Sequence, residues 1–357
     1  MVTVLDKYKK QNPWISILRI LLCFAVIQYH YNTAGETILQ KFVAVFGRVA
    51  VPCFMFISFY FMSGDVKESN TEKIRNRLLR LYVPILFWNV FNWILFNAFY
   101  VRSGNKENIL GIKALLESLL FTHYPGMPAH LWFLFAQIVV LVLCSILLSF
   151  GKNEKEKIEI LVSLIVGALI LQYTGANFEL FNGANPVITY SLGRCIECVP
   201  FAGCGLLYAW FVKERGTDAR DSKWIANIAI ATVSLSIAMI AFVADFTPAN
   251  FGYGGLYPMF ISVAICVFAF IIPDVLKGNV RSVLNFVGSC TMGIYCMQGI
   301  VGWFLPYIGT KISAIGNRLY IGTLVFDAWI FIVGLVVTIV VRVINSKLKL
   351  KWIEWSF

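Results

Sequence analysis

Runs of about 17–25 predominantly apolar residues recur from one end of this chain to the other, the length needed to cross a bilayer core about 30 Å thick. Ten such runs are read, at roughly 14–32, 43–63, 83–100, 131–150, 158–173, 196–213, 224–244, 255–273, 284–307 and 322–342. The fifth is short, and the sixth is interrupted by Gly203 and Gly205. Composition agrees: 59% of the residues are hydrophobic and only 14% charged, where a soluble globule carries about 25% charged residues to hydrate its surface. The expected fold is an all-α integral membrane protein, a bundle of about ten transmembrane helices forming a single domain over 1–357.

The chain holds 30 Lys and Arg against 19 Asp and Glu, a net charge of +11. In a membrane protein the cations report orientation before they suggest nucleic acid, and no nucleic-acid partner is expected. With the amino terminus placed in the cytoplasm, alternate segments hold 21 cations inside and 7 outside, while Arg19 and Arg48 lie within spans. That asymmetry predicts both termini cytoplasmic, with short tails at about 1–13 and 343–357. The first run lacks a small-residue cleavage site and reads as an anchor, not a signal peptide. The stretch ILGIKALLESLLF at 109–121, in the longest outer loop, has helical apolar spacing around Lys113 and Glu117, which predicts a helix lying on the membrane surface. Nine cysteines, mostly inside apolar runs and odd in number, make no disulfide framework. Cys195 and Cys198 form a lone C-x-x-C without the four ligands of a structural zinc site, so no metal is expected.

The informative residues are ionisable ones where charge is expensive, about 2.5–3.5 kcal/mol for an Arg at mid-helix on insertion scales. Arg19 and His30 stand eleven positions apart on the first span. At about 100° and 1.5 Å per residue they share one face to within roughly 20° and are separated by ~16 Å. Arg19 snorkelling to the inner interface with His30 at the outer one is the structural alternative. Arg48 lies just inside the outer end of span two, and Asp327, near the outer end of span ten, is its candidate partner. Arg75, Arg77 and Arg80 precede span three at the inner face. The positive-inside rule alone accounts for the cluster; the R-x-x-R spacing of Arg77 and Arg80 also puts two planar donor forks on one side, which suits phosphate. His130 and Trp132 open span four at the outer interface, where such residues are also common belt residues. Arg194 and Glu197, one turn apart at the outer start of span six, read as an i,i+3 ion pair. His123 reads as an ordinary loop residue.

These residues resemble the acyltransferase type 3 family of membrane proteins over essentially the whole chain. The resemblance rests on R-x10-H at Arg19 and His30, RVAVPCFMFISFYFMSG at 48–64, R-x-x-R at Arg77 and Arg80, HLWFL at 130–134 and SCTMGIYCMQ at 289–298. Gln298 stands where the family often has His, so no acid–base role passes to it, and Ser58-Phe59 replaces the Ser-Gly of span two. The resemblance implies transfer of an acyl group, usually acetyl, from cytoplasmic acyl-CoA to a hydroxyl, often of a glycan or lipid-linked glycan, in a bacterial plasma membrane. On that reading acetyl-CoA is the donor, Arg19, Arg75, Arg77 and Arg80 meet its phosphates, and His30 is the catalytic base beside Arg19. An acyl-His intermediate is the second-ranked route. Arg48, His130, Trp132, Arg194 and Glu197 would line the acceptor side. The competing expectations are a transporter or glycan exporter, and a ligand-binding membrane module without chemistry.

Overall fold

The computed structural model describes residues 12–31, 38–68, 70–122, 129–181, 186–214, 220–244, 256–273, 275–311 and 323–357. The amino-terminal tail up to residue 11 and His123 lie outside these. Helices α1 (Pro13–Tyr31), α2 (Ile38–Lys67), α3 (Thr71–Ser103), α4 (Ile112–Phe121), α5 (Trp132–Ser149), α6 (Glu154–Tyr173) and α7 (Ala176–Glu179) make the first half. They are followed by α8 (Pro186–Glu214), α9 (Arg220–Ala244), α10 (Leu256–Ile271), α11 (Gly278–Ser289), α12 (Thr291–Lys311), α13 (Leu324–Leu348) and α14 (Lys351–Ser356). No strand occurs among the described residues. The protein is an all-α membrane protein, as in lipid only structures that bond their own backbone can span.

Helices occupy all ten stretches read from the sequence, but they are not equally suited to spanning. Seven are long and apolar enough: α1, α2, α3, α5, α8, α9 and α13. The α11–α12 pair, bent by 51° at its junction, makes an eighth if it is one span. The other two differ for local reasons. Helix α6 has 20 residues, but its first turns carry Glu154, Lys155, Glu156, Lys157 and Glu159; helix α10 has only 16 residues. Gly203 and Gly205 do not break their span, since α8 runs unbroken through 29 residues.

The described chain forms two compact units. The first comprises residues 1–63 and 200–339. Helix α1 lies between its two hydrophobic clusters. Leu18, Leu22 and Val26 pack into one with Phe56, Val263 and Val267; Cys23 and Ile27 pack into the other with Ile294, Phe326 and Ile330. A helix apolar on both sides is a buried one, and α1 is enclosed on two. Small residues let its neighbours approach: a Cβ on Gly288 of α11 would lie 2.7 Å from the Ser16 Cβ and 2.9 Å from its Cα. Elsewhere in this unit, a Cβ on Gly205 of α8 would overlap the main-chain carbonyl oxygen of Phe56 on α2.

That last contact yields a stability prediction with an internal control. Gly205→Ala is expected to destabilise by about 1–3 kcal/mol, the cost of overpacking where backbone must move. Gly167 of α6 is also helix-interior, but an added Cβ there meets nothing within 4 Å. Gly167→Ala should therefore be neutral or stabilise by up to about 1 kcal/mol through helix propensity. Thermal unfolding of both variants in the same detergent checks the pair; equal shifts would remove the packing argument.

The second unit comprises residues 64–199 and 340–357. Asn70 caps α3 by accepting from the Lys73 N–H, and Gly104 ends it in a left-handed turn at φ 80°. Helix α4 hangs from α3 by polar side chains. Asn89 Nδ2 donates to the Ser118 carbonyl at 3.0 Å, Trp93 Nε1 to Leu110 at 2.9 Å, and Asn97 exchanges two bonds with Leu110. The opposite face of α4 exposes Ile112, Leu116 and Leu120. Trp88 Nε1 donates to the Ser356 carbonyl at 3.1 Å, and Trp88 packs edge-on and tilted against Phe91 and Phe357, which seats α14 on α3.

Candidate functional site

Arg19 and His30 both lie on α1, in the first unit, on one face of the helix by its periodicity. Arg19 is half-buried, its guanidinium 5.8 Å from the Phe61 ring of α2. His30 is exposed, although most of α1 is enclosed, and its ring lies edge-on to Tyr29 at 5.7 Å. The next residue, Tyr31, anchors this end of the helix: its hydroxyl donates to the Gln298 main-chain carbonyl at 2.9 Å, and its ring meets Phe326 edge-on. A Cβ on Gly302 would overlap that hydroxyl, so Gly302 makes room for it. His30 is thus held by its neighbour in the chain, not by a carboxylate partner of its own among the described residues.

Gln298 is 1% exposed, and neither its Nε2 nor its Oε1 has a hydrogen-bond partner among the described residues. A buried group left in that state costs about 1–3 kcal/mol. Asp327 is fully buried and within electrostatic reach of Tyr31. Arg48 is half-buried in the same unit. Tyr31 was not singled out from sequence; its adjacency to His30 was the available signal, but its bond to residue 298 was not legible.

The remaining residues lie in the second unit. Arg75 and Arg80 are exposed and form no ion pair with the described residues. Arg77, between them, turns its Nε to Asp65 Oδ2 at 3.2 Å, and Lys73 reaches Asp65 Oδ1 at 3.6 Å. The two arginines of the R-x-x-R therefore stand in different environments, one tied to a carboxylate and one open to solvent.

Arg194 has the most enclosed surroundings of these cations. Its Nη1 donates to Glu197 Oε2 at 2.6 Å, and the two side chains are 18% and 8% exposed. Three rings face its guanidinium: Tyr190 at 5.1 Å, Trp132 and Phe178 each at 5.8 Å. The structure brings together Arg194, Glu197 and Trp132, which the sequence nominated, with Tyr190 and Phe178, which it did not. Tyr190 is one turn back from Arg194 on α8, a signal that could have been used; Phe178, on α7, gave none. His130 is buried on the 3-10 turn that leads into α5. An arginine so placed offers cation–π faces, and aromatic planes of this kind also accept the apolar face of a sugar. No group of three or more His, Cys, Asp or Glu side chains suited to a metal occurs among the described residues.

A family model described as an acyltransferase domain matches residues 12–344. A curated relative, the nodulation protein NolL of Mesorhizobium japonicum, is 25% identical over 207 residues, 58% of this chain and 47% of the relative. The chain thus spans about half the length of the curated relative it matches. No solved structure matches.

Proposed function

The chain belongs to the acyltransferase type 3 family of membrane proteins, matched over residues 12–344, and from that premise we propose that it transfers an acyl group, acetyl in the first instance, from acyl-CoA to a glycan hydroxyl. The observation that carries the reading is the placement of Arg19 and His30 on one face of the enclosed helix α1, with His30 exposed. An extended pantetheine arm is comparable in length to the ~16 Å that separates them along the helix. A donor whose pyrophosphate meets Arg19 would present its thioester near His30.

The chemistry then follows from the groups. The neutral imidazole of His30 accepts the proton of the acceptor hydroxyl as that oxygen attacks the thioester carbonyl carbon. The carbon–sulfur bond breaks, and the imidazolium returns the proton to the departing thiolate, which leaves as CoA-SH. Arg75, Arg77 and Arg80 are assigned to donor phosphates by their chemistry; Arg48, His130, Trp132, Arg194 and Glu197 are assigned to the acceptor. Residence in a bacterial plasma membrane with both termini cytoplasmic belongs to the same proposal, supported by the cation asymmetry of the loops.

The test is direct. Purified full-length protein in detergent is expected to bind radiolabelled acetyl-CoA saturably and to hydrolyse it slowly without acceptor, with binding weakened by Arg19→Ala. Absence of binding by folded wild-type protein would overturn the reading. It would favour a transporter instead, for which the 51° bend between α11 and α12 is the relevant structural feature.

A further inference from the structure

Asp65, near the C-terminal end of α2, turns back to the first turns of α3 within the second unit. Its Oδ2 accepts from Arg77 Nε at 3.2 Å, and Lys73 Nζ stands 3.6 Å from its Oδ1. The carboxylate sits on a fixed mount. The Asp65 main-chain carbonyl accepts from the Asn70 N–H at 3.1 Å, and Asn70 in turn caps α3. Lys67, two residues on, pairs with Glu154 of α6, and its carbonyl accepts from Lys157 Nζ at 2.8 Å. The Asp65 side chain is 16% exposed and that of Arg77 37%, so the carboxylate is the enclosed member and the guanidinium the one that reaches outward.

A guanidinium carries five N–H donors in a planar fork. The bond to Asp65 uses Nε alone, and the two Nη groups of Arg77 make no hydrogen bond with the described residues. Arg80 follows about 60° round the helix and ~4.5 Å along it, exposed and without an ion pair among the described residues. Arg75 projects about 160° from Arg77 and is not part of this pair. Two guanidinium groups, one of them fixed in orientation, therefore present donors on one side of α3 to an anion with several terminal oxygens, as a phosphate monoester has. Charge alone argues against a carboxylate here. A unit negative charge ~7 Å from a bound anion weakens it about threefold in water. What Asp65 supplies instead is orientation: ordering a long side chain on binding is costly, and a tether made beforehand removes that cost.

We propose that Asp65 is a positioning residue for the donor, holding Arg77 by Nε so that its Nη edge, with Arg80, receives the ribose 3′-phosphate of acyl-CoA. This rests on the acyl-transfer reading above and deepens it, since that reading gives the donor pyrophosphate to Arg19 and leaves the terminal phosphate to be recognised. The two arginines of the R-x-x-R then have separate tasks, the tethered one setting direction and the open one adding charge.

The experiment measures binding of acetyl-CoA and of 3′-dephospho-acetyl-CoA to full-length protein in neutral detergent, as wild type, Asp65→Asn, Asp65→Ala and Arg77→Lys. Wild type is expected to bind acetyl-CoA about tenfold more tightly than the dephospho donor, equivalent to about 1.4 kcal/mol. Asp65→Asn and Asp65→Ala both remove the charge, but only asparagine keeps an acceptor oxygen for Arg77 Nε. Asp65→Ala should therefore bind acetyl-CoA about fivefold more weakly than Asp65→Asn, with no difference between them on the dephospho donor. Arg77→Lys reads the same bond from the other side and does not depend on Asp65→Ala folding. An ammonium held by Asp65 has no second planar edge, so the preference for the 3′-phosphate should fall to about twofold. Equal affinities of Asp65→Asn and Asp65→Ala for acetyl-CoA, or an equal loss on both donors, overturn the proposal and leave acyl transfer standing. So does an unchanged preference in Arg77→Lys, or a wild type indifferent to the 3′-phosphate, which would give these arginines to lipid headgroups. Folded wild-type protein that binds neither donor overturns the acyl-transfer reading and this assignment with it.

Discussion

Arg194→Ala is expected to cost about 3–5 kcal/mol of stability, the loss typical when one member of a buried ion pair is removed. The cost comes chiefly from what remains. Glu197 is 8% exposed, and without the guanidinium its carboxylate must either stay charged in an apolar site or take up a proton. Loss of the three ring contacts adds a smaller amount, of order 0.5–2 kcal/mol in all for a partly desolvated cation. The double substitution Arg194→Leu with Glu197→Leu should recover most of the loss, because two apolar side chains leave no uncompensated charge. Arg194→Lys should not, since an ammonium reproduces neither the planar fork nor its stacking on Tyr190 and Trp132. Unfolding of wild type, Arg194→Leu, Glu197→Leu and the double variant in one detergent forms a double-mutant cycle. A cycle with no coupling between positions 194 and 197 would mean that the pair contributes nothing as a pair.

The parts of this arrangement that were legible in the sequence are those set by helix periodicity. Arg19 and His30 share a face because eleven residues nearly close three turns, and Arg194 reaches Glu197 because three residues nearly close one. Nothing beyond spacing is needed for either. Contacts between elements were another matter. Phe178 reaches Arg194 from α7, sixteen positions away, and no period links them. Asp65 takes the Nε of Arg77 from the end of the preceding helix, so two arginines that the R-x-x-R spacing left equivalent stand in different surroundings in the fold. Glycines were misjudged for a related reason. In an isolated helix Gly203 and Gly205 weaken the span, but in α8 the absent Cβ of Gly205 is what lets α2 approach, and packing outweighs propensity. The charge-rich start of α6 lies outside the fifth apolar run, yet the helix begins there, because Asn153 accepts from the Glu156 N–H while the Glu156 carboxylate accepts from the Lys152 N–H and from Asn153 Nδ2.

His30→Ala is expected to lower turnover by about 10²–10⁴-fold, the range contributed by a positioned general acid–base group, with saturable binding of acetyl-CoA retained. Arg19→Ala should show the complementary pattern, a raised KM for the donor with a smaller change in kcat, because a group that meets the pyrophosphate binds ground state and transition state alike. The split is the informative result: two residues on one face of α1, ~16 Å apart, should fail in different kinetic constants. The pH dependence carries a sign. A general base works deprotonated, so kcat/KM should fall as pH falls through the imidazole titration, and that acid limb should be absent from the residual rate of His30→Ala. A nucleophilic histidine predicts the same limb, and the two routes separate elsewhere. If the imidazole itself is acylated, wild-type protein incubated with radiolabelled acetyl-CoA and no acceptor should retain label that hydroxylamine removes, since an acyl-imidazole is an activated acyl group. If it acts only as a base, the label should stay in solution as acetate. Tyr31→Phe sharpens the assignment, because it removes the bond that fixes the end of α1 to Gln298 while leaving the imidazole in place. It should reduce kcat less than His30→Ala does and leave the acid limb of the pH profile intact. Full activity in folded His30→Ala would remove the base from the mechanism altogether, whatever the donor and acceptor prove to be.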